Sequence, residues 1–495
     1  MMSIERNQIE HGLSVVKLSG SLVRTRALRD LTRQVEQLRA EGCRGILFDL
    51  SRIKRVNMTG LASLIELVAR NPKTDFGFCE VPPKTMSFLH KSGLDRGLHF
   101  FASLEEAQKN PHFQSHMLSG VRVVLLCAGK GSRVAPLTDL TPKPLLDMAG
   151  RPTMHRIIDH LGQFGLHDIL LNPGHLGHQI IDYFRSAPTP DARITFVNEG
   201  QWSESQWQSA PIGSASTLRR IQDRNAAFHD DVVVLCADAL IDLDMAEMMQ
   251  AHRRSGAAAT IAALTVPETE THKYGIIEAN PDQMVTRFIE KPAQGETSSQ
   301  LANSGIYIFK PEVFDLIGEA EGLDIACDLL PAIMAGGQKI HVYDKPFSWV
   351  DIGCGRDYAV AVRKCLAGEI PSAEPVGQEI RPNVWAMPDA KVSRRAEISG
   401  PCHIGAGARI EAGAKLSGTC SVGAGAVIEG RTHLRNSMVM PDTWVKAGAL
   451  ADSMILHATW AVNHRFADGS AQNCAAYEHV EALDTGVPLT IRKSA

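Results

Sequence analysis

The sequence lacks the marks of a secreted, membrane-spanning or nucleic-acid-binding protein. No run of about 18 apolar residues occurs, so we expect no transmembrane helix, and the opening residues contain no apolar segment typical of a secretion signal. The ten cysteines form no CxxC pair and no regular spacing, which predicts reduced thiols in a cytoplasmic protein. A net charge of −4 gives no reason to expect nucleic acid as a partner.

What remains is an ordinary globular composition in a long chain. Hydrophobic residues make up 44% and charged residues 21% of the 495 residues. At roughly 150 residues per domain, this length predicts about three domains. We expect an α/β protein divided into a unit over residues 1–110, a Rossmann-like unit over 121–367, a repeat segment over 382–450 and a tail over 451–495. The middle unit is expected to be Rossmann-like because strands alternate with helices along it.

The most informative stretch begins with the apolar strand Val123–Leu126 and breaks into the glycine-rich turn AGKGSR. Two common nucleotide motifs are absent, because a dinucleotide-binding GxGxxG would need glycine where Val134 stands and no P-loop GxxxxGK[ST] occurs. Glycines let backbone N–H groups approach an anion closely. Arg133 and Lys143, the latter held between two prolines, add cations. The pattern predicts a triphosphate site.

The strings GKGSRVAPLT and TPKPLL resemble the signature of sugar-1-phosphate nucleotidyltransferases, with Ser132 in place of the more usual threonine. Three other segments strengthen the resemblance: the loop APIGSAST (210–217), the pair FIEKP and NSGIYIF (288–309), and WVDIG (349–353). It implies a nucleotide site formed by Ala128, Gly129, Gly131, Ser132, Arg133, Lys143, Pro211, Gly213 and Ser214. It also implies a sugar-phosphate site formed by Gly275, Glu290, Lys291 and Asn303.

A carboxylate at the end of the strand Val232–Cys236 adds a candidate metal ligand, since ligands of open α/β sheets bind at the carboxyl ends of the strands. The resemblance implies that this residue, Asp238, holds Mg²⁺ together with Asp351. It further implies attack of a sugar-1-phosphate on the α-phosphorus of a nucleoside triphosphate, with Arg133, Lys143 and Lys291 as catalytic residues.

The substrates stay open at this point. The motifs look most like mannose-1-phosphate guanylyltransferases, and glucose-1-phosphate thymidylyl-, uridylyl- or adenylyltransferases are the alternatives. A nucleotide-sugar sensor is a third reading. A sensor would be expected to lose one of the metal carboxylates or the lysine, and here Asp238, Asp351 and Lys143 are all present. Acyl transfer by the C-terminal repeat is a fourth reading. The shortness of the repeat and the lack of an evident catalytic histidine argue against it, although His403 and His433 lie within it.

The first 110 residues resemble a STAS domain in their order of strands and helices and in the strings FDLSRIKRVNMTGLASL and SGLDRGLHFFASLEEA. STAS regulators often carry a phosphorylated serine at the start of that helix, where this chain has Met58, so we expect no phosphoswitch there; Thr59 is a weaker candidate. The domain is read either as a docking module for a partner or as a folded spacer. Residues 109–120 are predicted to be a linker.

An aliphatic residue recurs every six positions from Val392 onward, with small residues between, and the series is Val392, Ile398, Ile404, Ile410, Leu416, Val422, Ile428, Leu434 and Met440. This period is typical of a three-sided parallel β-helix and resembles the left-handed hexapeptide-repeat helix. We expect its flat sides to pair subunits into a homo-oligomer. The segment 368–382 reads as a linker, and residues 451–495 are expected to lose the period and to cap the last coil.

Overall fold

Three units follow one another along the chain. The structure is a computed structural model that describes residues 3–10, 12–23, 25–92, 98–187, 189, 192–225, 228–466 and 480–482. Part of the string SGLDRGL, used for the STAS resemblance, and most of the tail lie outside these residues. Within these ranges, every helix is too short or too polar to traverse a bilayer.

The N-terminal unit is a five-stranded sheet with helices packed on it. Its strands follow the order of the chain, and all neighbours are parallel except the first pair. Leu31, Val35 and Leu38 share one face of the first helix and are fully buried, as their helical spacing predicts. The elements are β1 Ser3–Glu10, β2 Leu13–Leu22, α1 Thr25–Ala40, β3 Gly45–Val56, α2 Met58–Ala69, β4 Asp75–Cys79, α3 Pro83–Ser92, β5 His99–Phe101 and α4 Leu104–Lys109.

The predicted linker over 109–120 is wrong, because this segment forms helix α5 (Pro111–Met117) and packs into the core. Phe113 and Met117 are buried in an apolar cluster that includes residues of both the first and the second unit. The backbone N–H of Leu118 donates to the carbonyl of Phe164 at 3.1 Å. The polar composition of the segment hid its few apolar side chains, which join the two units instead of separating them.

The second unit is built on a nine-stranded mixed sheet. The elements are β6 Arg122–Leu126, α6 Leu137–Leu140, α7 Thr153–Gly162, β7 Asp168–Leu171, α8 Gly177–Ser186, β8 Arg193–Phe196, β9 Gly200–Ser203, β10 Gln206–Ser209, α9 Ser214–Asn225, β11 Val232–Cys236, β12 Ala239–Ile241, α10 Met245–Ser255, β13 Ala259–Thr265, β14 Gly275–Ala279, β15 Val285–Glu290, β16 Leu301–Phe309, α11 Leu330–Ala335, β17 Ile340–Tyr343, β18 Trp349–Asp351 and α12 Gly355–Leu366. Across the sheet the strands lie in the order β15-β14-β16-β11-β6-β7-β8, and β13 pairs with both β16 and β17.

Two features of this sheet position the site. The strands β6, β7, β8 and β11 are mutually parallel, so their carboxyl ends lie at one edge. Beyond that edge, the short strand β12 pairs antiparallel with β18, which sets Ala239 opposite Asp351. Residues more than a hundred positions apart in sequence are thereby brought next to the end of β11.

The third unit is a three-sided parallel β-helix, as the six-residue period predicts. One sheet contains β19 Gln378–Arg381, β20 Val384–Ala386, β23 Cys402–Ile404, β26 Cys420–Val422, β29 Met438–Val439, β32 Met454–His457 and β33 Trp460–Asn463. A second contains β21 Lys391–Val392, β24 Arg409–Ile410, β27 Val427–Ile428, β30 Thr443–Val445 and β34 Val480–Ala482. The third contains β22 Glu397–Ser399, β25 Lys415–Ser417, β28 His433–Arg435 and β31 Leu450–Asp452.

The period shortens by one residue in the last coils. Val422 pairs with Val439, so Val439 takes the inward position that the strict period assigns to Met440. Met440 instead packs against the second unit. The strands also continue past residue 450, so the expected loss of the repeat is wrong for 451–457. Strand β19 likewise begins inside the segment predicted to be a linker.

One side of the β-helix is covered by the chain itself. Met438, Ile455 and Trp460 belong to one apolar cluster with Tyr358 and Val362 of α12. Strand β33 pairs antiparallel with β32 and covers the edge of that sheet, whereas Phe466, further along the tail, is exposed. The second unit therefore packs on the β-helix rather than projecting away from it.

Candidate active site

A cleft of about 610 Å³ lies at the carboxyl edge of the central strands. All the site residues that the nucleotidyltransferase resemblance implies line this one cleft, although they come from widely separated parts of the chain. They are Ala128, Gly129, Gly131, Ser132, Arg133, Lys143, Pro211, Gly213, Ser214, Asp238, Gly275, Glu290, Lys291, Asn303 and Asp351. Their individual roles remain predictions.

The glycine-rich turn follows β6 directly and forms one wall. Gly131 has a φ of +64°, a conformation that glycine adopts without strain. A Cβ atom at Gly131 would also come within 3.3 Å of the Lys143 side chain. The hydroxyl of Thr138 donates to the Gly131 carbonyl at 2.9 Å and fixes the turn. Arg133 is exposed on the following 3₁₀ turn. The turn thus presents its backbone and a guanidinium to the cleft.

Lys143 is the most deeply buried cation of the site, with 7% of its surface exposed. Its ammonium donates to Asp238 Oδ2 at 2.5 Å and to Asp351 Oδ1 at 3.4 Å. Asp238 follows β11, and Asp351 is brought beside it by the β12–β18 pairing. The fold therefore places one lysine and two carboxylates, which are separated along the sequence, within contact of one another.

Burial and charge act in opposite directions on this cluster. Burial by itself would lower the pKa of Lys143, but the two carboxylates outweigh it and the pKa is raised, so the ammonium is charged at neutral pH. Burial raises the pKa of Asp351, Lys143 opposes that shift, and Asp238 adds to it. The cluster carries one cation against two acids, which leaves it short of positive charge.

A divalent cation fits this cluster. The ammonium contacts one oxygen of each carboxylate, Oδ2 of Asp238 and Oδ1 of Asp351, and does not use the second oxygen of either. Two carboxylates that face a cleft suit a hard ion such as Mg²⁺, which is usually held by one or two carboxylates together with substrate phosphates. Asp238 and Asp351 would be the residues that hold it.

The loop expected to bind the nucleotide base is fixed by its contacts with a neighbouring turn. Gly213 has a φ of +95°, and a Cβ atom there would lie 2.4 Å from the Leu323 carbonyl. The hydroxyl of Ser214 donates to Asp324 at 2.7 Å and accepts from the N–H of Ile325 at 2.9 Å. Only glycine allows this close approach, which holds the loop against the cleft.

The opposite wall carries the residues expected to bind the sugar phosphate. Gly275 on β14 pairs with Glu290 on β15, and a Cβ atom at Gly275 would meet the Glu290 carboxylate at 2.7 Å. Lys291 follows with a φ of +48° and an exposed ammonium 3.3 Å from Glu290. The side-chain amide of Asn303 donates to the Tyr307 hydroxyl at 2.8 Å. The wall presents one acid, one exposed cation and one amide.

A buried polar network that the sequence analysis missed connects the two nucleotide loops. Asn172 accepts from the N–H of Cys127 at 2.7 Å and donates to Glu199 at 3.0 Å. Glu199 is 2% exposed and also accepts from the N–H of Ile212 at 3.0 Å and from the Thr217 hydroxyl. Both residues follow the ends of parallel strands, β7 and β8, so the rule that pointed to Asp238 would have found them.

The second unit, which contains the cleft, is similar in sequence to known proteins. A family profile described as "Nucleotidyl transferase" matches residues 122–368. A UTP–glucose-1-phosphate uridylyltransferase of Synechocystis is 36% identical over 337 residues, which cover 68% of this chain and 82% of that protein. The chain belongs to the nucleotidyl transferase family. These matches confirm the prediction from the sequence motifs that the chain is a sugar-1-phosphate nucleotidyltransferase.

Two further relatives of this nucleotidyl transferase carry guanylyltransferase names. A mannose-1-phosphate guanylyltransferase catalytic subunit beta of Drosophila pseudoobscura is 32% identical over 66% of this chain and 82% of that protein. A putative mannose-1-phosphate guanyltransferase of Sulfolobus acidocaldarius is 27% identical over 58% of this chain and 71% of that protein. A divalent metal is usual in the family.

The N-terminal unit also matches a known domain. A profile described as "Mlab, STAS domain" covers residues 6–104, which confirms the STAS resemblance. At the helix start where STAS regulators carry their phosphoserine, the side chain of Asn57 accepts from the N–H of Gly60 at 2.9 Å and caps α2. Thr59 is exposed beside it.

Proposed function

We propose that this nucleotidyl transferase joins a nucleoside triphosphate to a sugar-1-phosphate in the cytoplasm, giving a nucleoside diphosphate sugar and pyrophosphate for glycan precursor synthesis. The observation that carries the proposal is the contact of Lys143 with Asp238 and Asp351. This cluster lies in the cleft shared by the glycine-rich turn and by the wall of Gly275 and Glu290. One substrate would bind on each side of it.

The reaction needs alignment and positive charge more than proton transfer. An oxygen of the sugar phosphate forms a bond to the α-phosphorus, the bond from the α-phosphorus to the bridging oxygen of the β-phosphate breaks, and pyrophosphate leaves. A phosphate monoester is already ionised near pH 7, so no general base is required. Arg133 and the backbone of Gly129 and Gly131 would hold the β- and γ-phosphates, and Lys143 would stabilise charge as pyrophosphate departs.

The opposite wall would bind and orient the nucleophile. The exposed ammonium of Lys291 is paired with Glu290 and can exchange that partner for the sugar phosphate. Glu290 and Asn303 would accept from and donate to sugar hydroxyls, since the side chains of both line the cleft. When bound at Asp238 and Asp351, Mg²⁺ would neutralise phosphate oxygens at the reacting centre.

Two substrate pairs are candidates. The sequence motifs favour GTP with mannose-1-phosphate, which agrees with the names of two of the relatives. UTP with glucose-1-phosphate is the second pair, because the relative with 36% identity carries that name. Base choice would depend on the loop that Glu199 and Leu323 hold in place, and sugar choice on Glu290 and Asn303.

A pyrophosphate-release screen tests the proposal. The full chain is incubated with Mg²⁺, each of four nucleoside triphosphates and the 1-phosphates of mannose, glucose and related sugars. We expect one nucleotide and sugar pair to exceed the others, with product confirmed by mass. Lys143→Ala should abolish most of that signal, and Lys130→Ala, which alters an exposed lysine in the glycine-rich turn, should retain it. Release without sugar phosphate, or none with any pair, would contradict the proposal.

Assembly forms part of the same proposal. We infer that copies of the chain pair through the two sheets of the β-helix that its own second unit does not cover. The third sheet carries an outward ladder of Glu397, Lys415 and His433, in which the first two form an ion pair at 2.9 Å. The STAS domain is proposed as the docking module for a separate protein. Light scattering should give at least a dimer at micromolar concentration, and a monomer would contradict the pairing.

A further inference from the structure

Outside the cleft, two histidines and one carboxylate converge where helix α5 meets the N-terminal sheet. Nε2 of His116 lies 2.7 Å from Oδ2 of Asp75, and Nε2 of His112 lies 3.2 Å from the same oxygen. The ligand atoms of the three side chains all lie within 4.8 Å of one another. Two imidazoles directed at one carboxylate oxygen do more than a single ion pair requires.

The distances from the two histidine nitrogens to the Asp75 oxygen suit a small tetrahedral ion. Zinc binds histidine nitrogen and carboxylate oxygen at about 2.0–2.2 Å, and a tetrahedron with such bonds has edges of about 3.3 Å. The distance from His112 to Asp75, 3.2 Å, already matches that edge. The distance from His116, 2.7 Å, needs an outward shift of about half an ångström, within side-chain adjustment.

The backbone supplies the three groups from fixed elements. His112 and His116 are four residues apart on one helix, which places them on the same face one turn apart. Asp75 opens β4, and its N–H donates to the Arg44 carbonyl at 2.8 Å. A Cβ atom at Gly45 would lie 3.0 Å from the His116 ring, so the ring is held by close packing on β3.

The remaining surroundings leave an ion a way in. The side chains of His112 and Asp75 are both partly exposed, and that of His116 is mostly buried. The ring of His99, on β5, lies 4.9 Å from that of His112 and supports its orientation. Three protein ligands with one side toward solvent leave a fourth position for water.

We propose that Asp75, His112 and His116 form a binding site for a transition-metal dication, with Zn²⁺ as the ion that fits best. Two imidazole nitrogens favour zinc over Mg²⁺, which prefers an all-oxygen shell. The site is distinct from the cleft and from its metal carboxylates. Because Phe113 and Met117 of the same helix pack into the core shared with the second unit, a bound ion would fasten the connection between the two units.

The experiment uses the full chain, freed of metal with EDTA and kept in excess Mg²⁺ so that the carboxylates of the cleft are occupied. Zn²⁺ is titrated against a chromogenic chelator, and bound zinc is counted per chain. We expect one tight zinc per chain and a rise in the thermal midpoint on binding. His112→Ala and Asp75→Asn should each weaken binding by about a hundredfold and remove the thermal shift. His433→Ala, an exposed histidine on the β-helix, should change neither.

The outcomes separate cleanly. Absence of zinc binding at micromolar concentration, or equal binding by wild type and both variants, overturns the site. Both substituted side chains are partly exposed, so their loss should leave the fold intact, which circular dichroism checks. If one variant fails to fold, the other decides alone.

Discussion

Replacing Lys143 by methionine should remove the charge of the cleft while keeping most of the side-chain volume. The ammonium lies 2.5 Å from Asp238 and 3.4 Å from Asp351. At an effective dielectric constant of about 20, these distances correspond to gross attractions of about 7 and 5 kcal/mol. Desolvation of the buried ammonium offsets most of this, so the net loss of unfolding free energy should be about 3–5 kcal/mol, the usual cost of removing one partner from a buried ion pair.

The loss should depend on pH in a defined direction. The pKa of Asp351 is already raised by burial, and without the lysine it should rise further. A carboxyl with a raised pKa in the folded state binds its proton more tightly there than in the unfolded chain. Its contribution to stability is therefore present at low pH and lost as pH rises through the folded pKa. The defect of Lys143→Met should accordingly be larger at pH 7 than at pH 5, and Mg²⁺ should reduce it by replacing the missing cation.

Urea unfolding at the two pH values measures the stability term, and pyrophosphate release measures turnover. Loss of a cation positioned at the reacting phosphates should lower turnover by about two to three orders of magnitude. Lys130→Met, at an exposed position of the glycine-rich turn, is the matched control and should change stability by less than about 0.5 kcal/mol. A defect that is the same at both pH values, or equal to that of the control, would refute the reasoning from charge.

Three further outcomes follow from the structure. Asp238→Asn should lower turnover at least about a hundredfold while the chain stays folded, because Asp351 still pairs with Lys143, whereas the exposed Asp282→Asn should be neutral; near-normal turnover would show that the metal ligand is misassigned. Gly213→Ala forces a φ of +95° and a contact with a backbone carbonyl, so it should cost about 2 kcal/mol and raise KM for the triphosphate, and an unaltered KM would argue against that loop as the base site. Removing residues 1–112 cuts α5 and leaves Phe113 without its partners in the first unit, so thermal unfolding should shift markedly downward; an unshifted midpoint would mean that the second unit is independent.

Local patterns in the sequence determined much of this protein. The six-residue period predicts the β-helix because one inward aliphatic side chain per face is a purely local requirement. The glycine-rich turn and Lys143, which lies between two prolines, likewise predict a phosphate site. Backbone freedom and charge are also properties of a short stretch of sequence. The resemblance built on these motifs named the cleft residues, and the structure places them together.

Tertiary structure decided what depends on contacts between distant residues. No local pattern indicates that Lys143 contacts both Asp238 and Asp351, because that contact depends on the pairing of β12 with β18. The one-residue shortening that turns Val439 inward depends on strand register between coils, which the sequence period does not specify. Segment 109–120 reads as a linker by composition, yet Phe113 is buried between two units and His112 and His116 meet Asp75 across the chain. The role of a few apolar or histidine side chains in a polar segment depends on the surfaces that they contact, which the segment's own sequence does not specify.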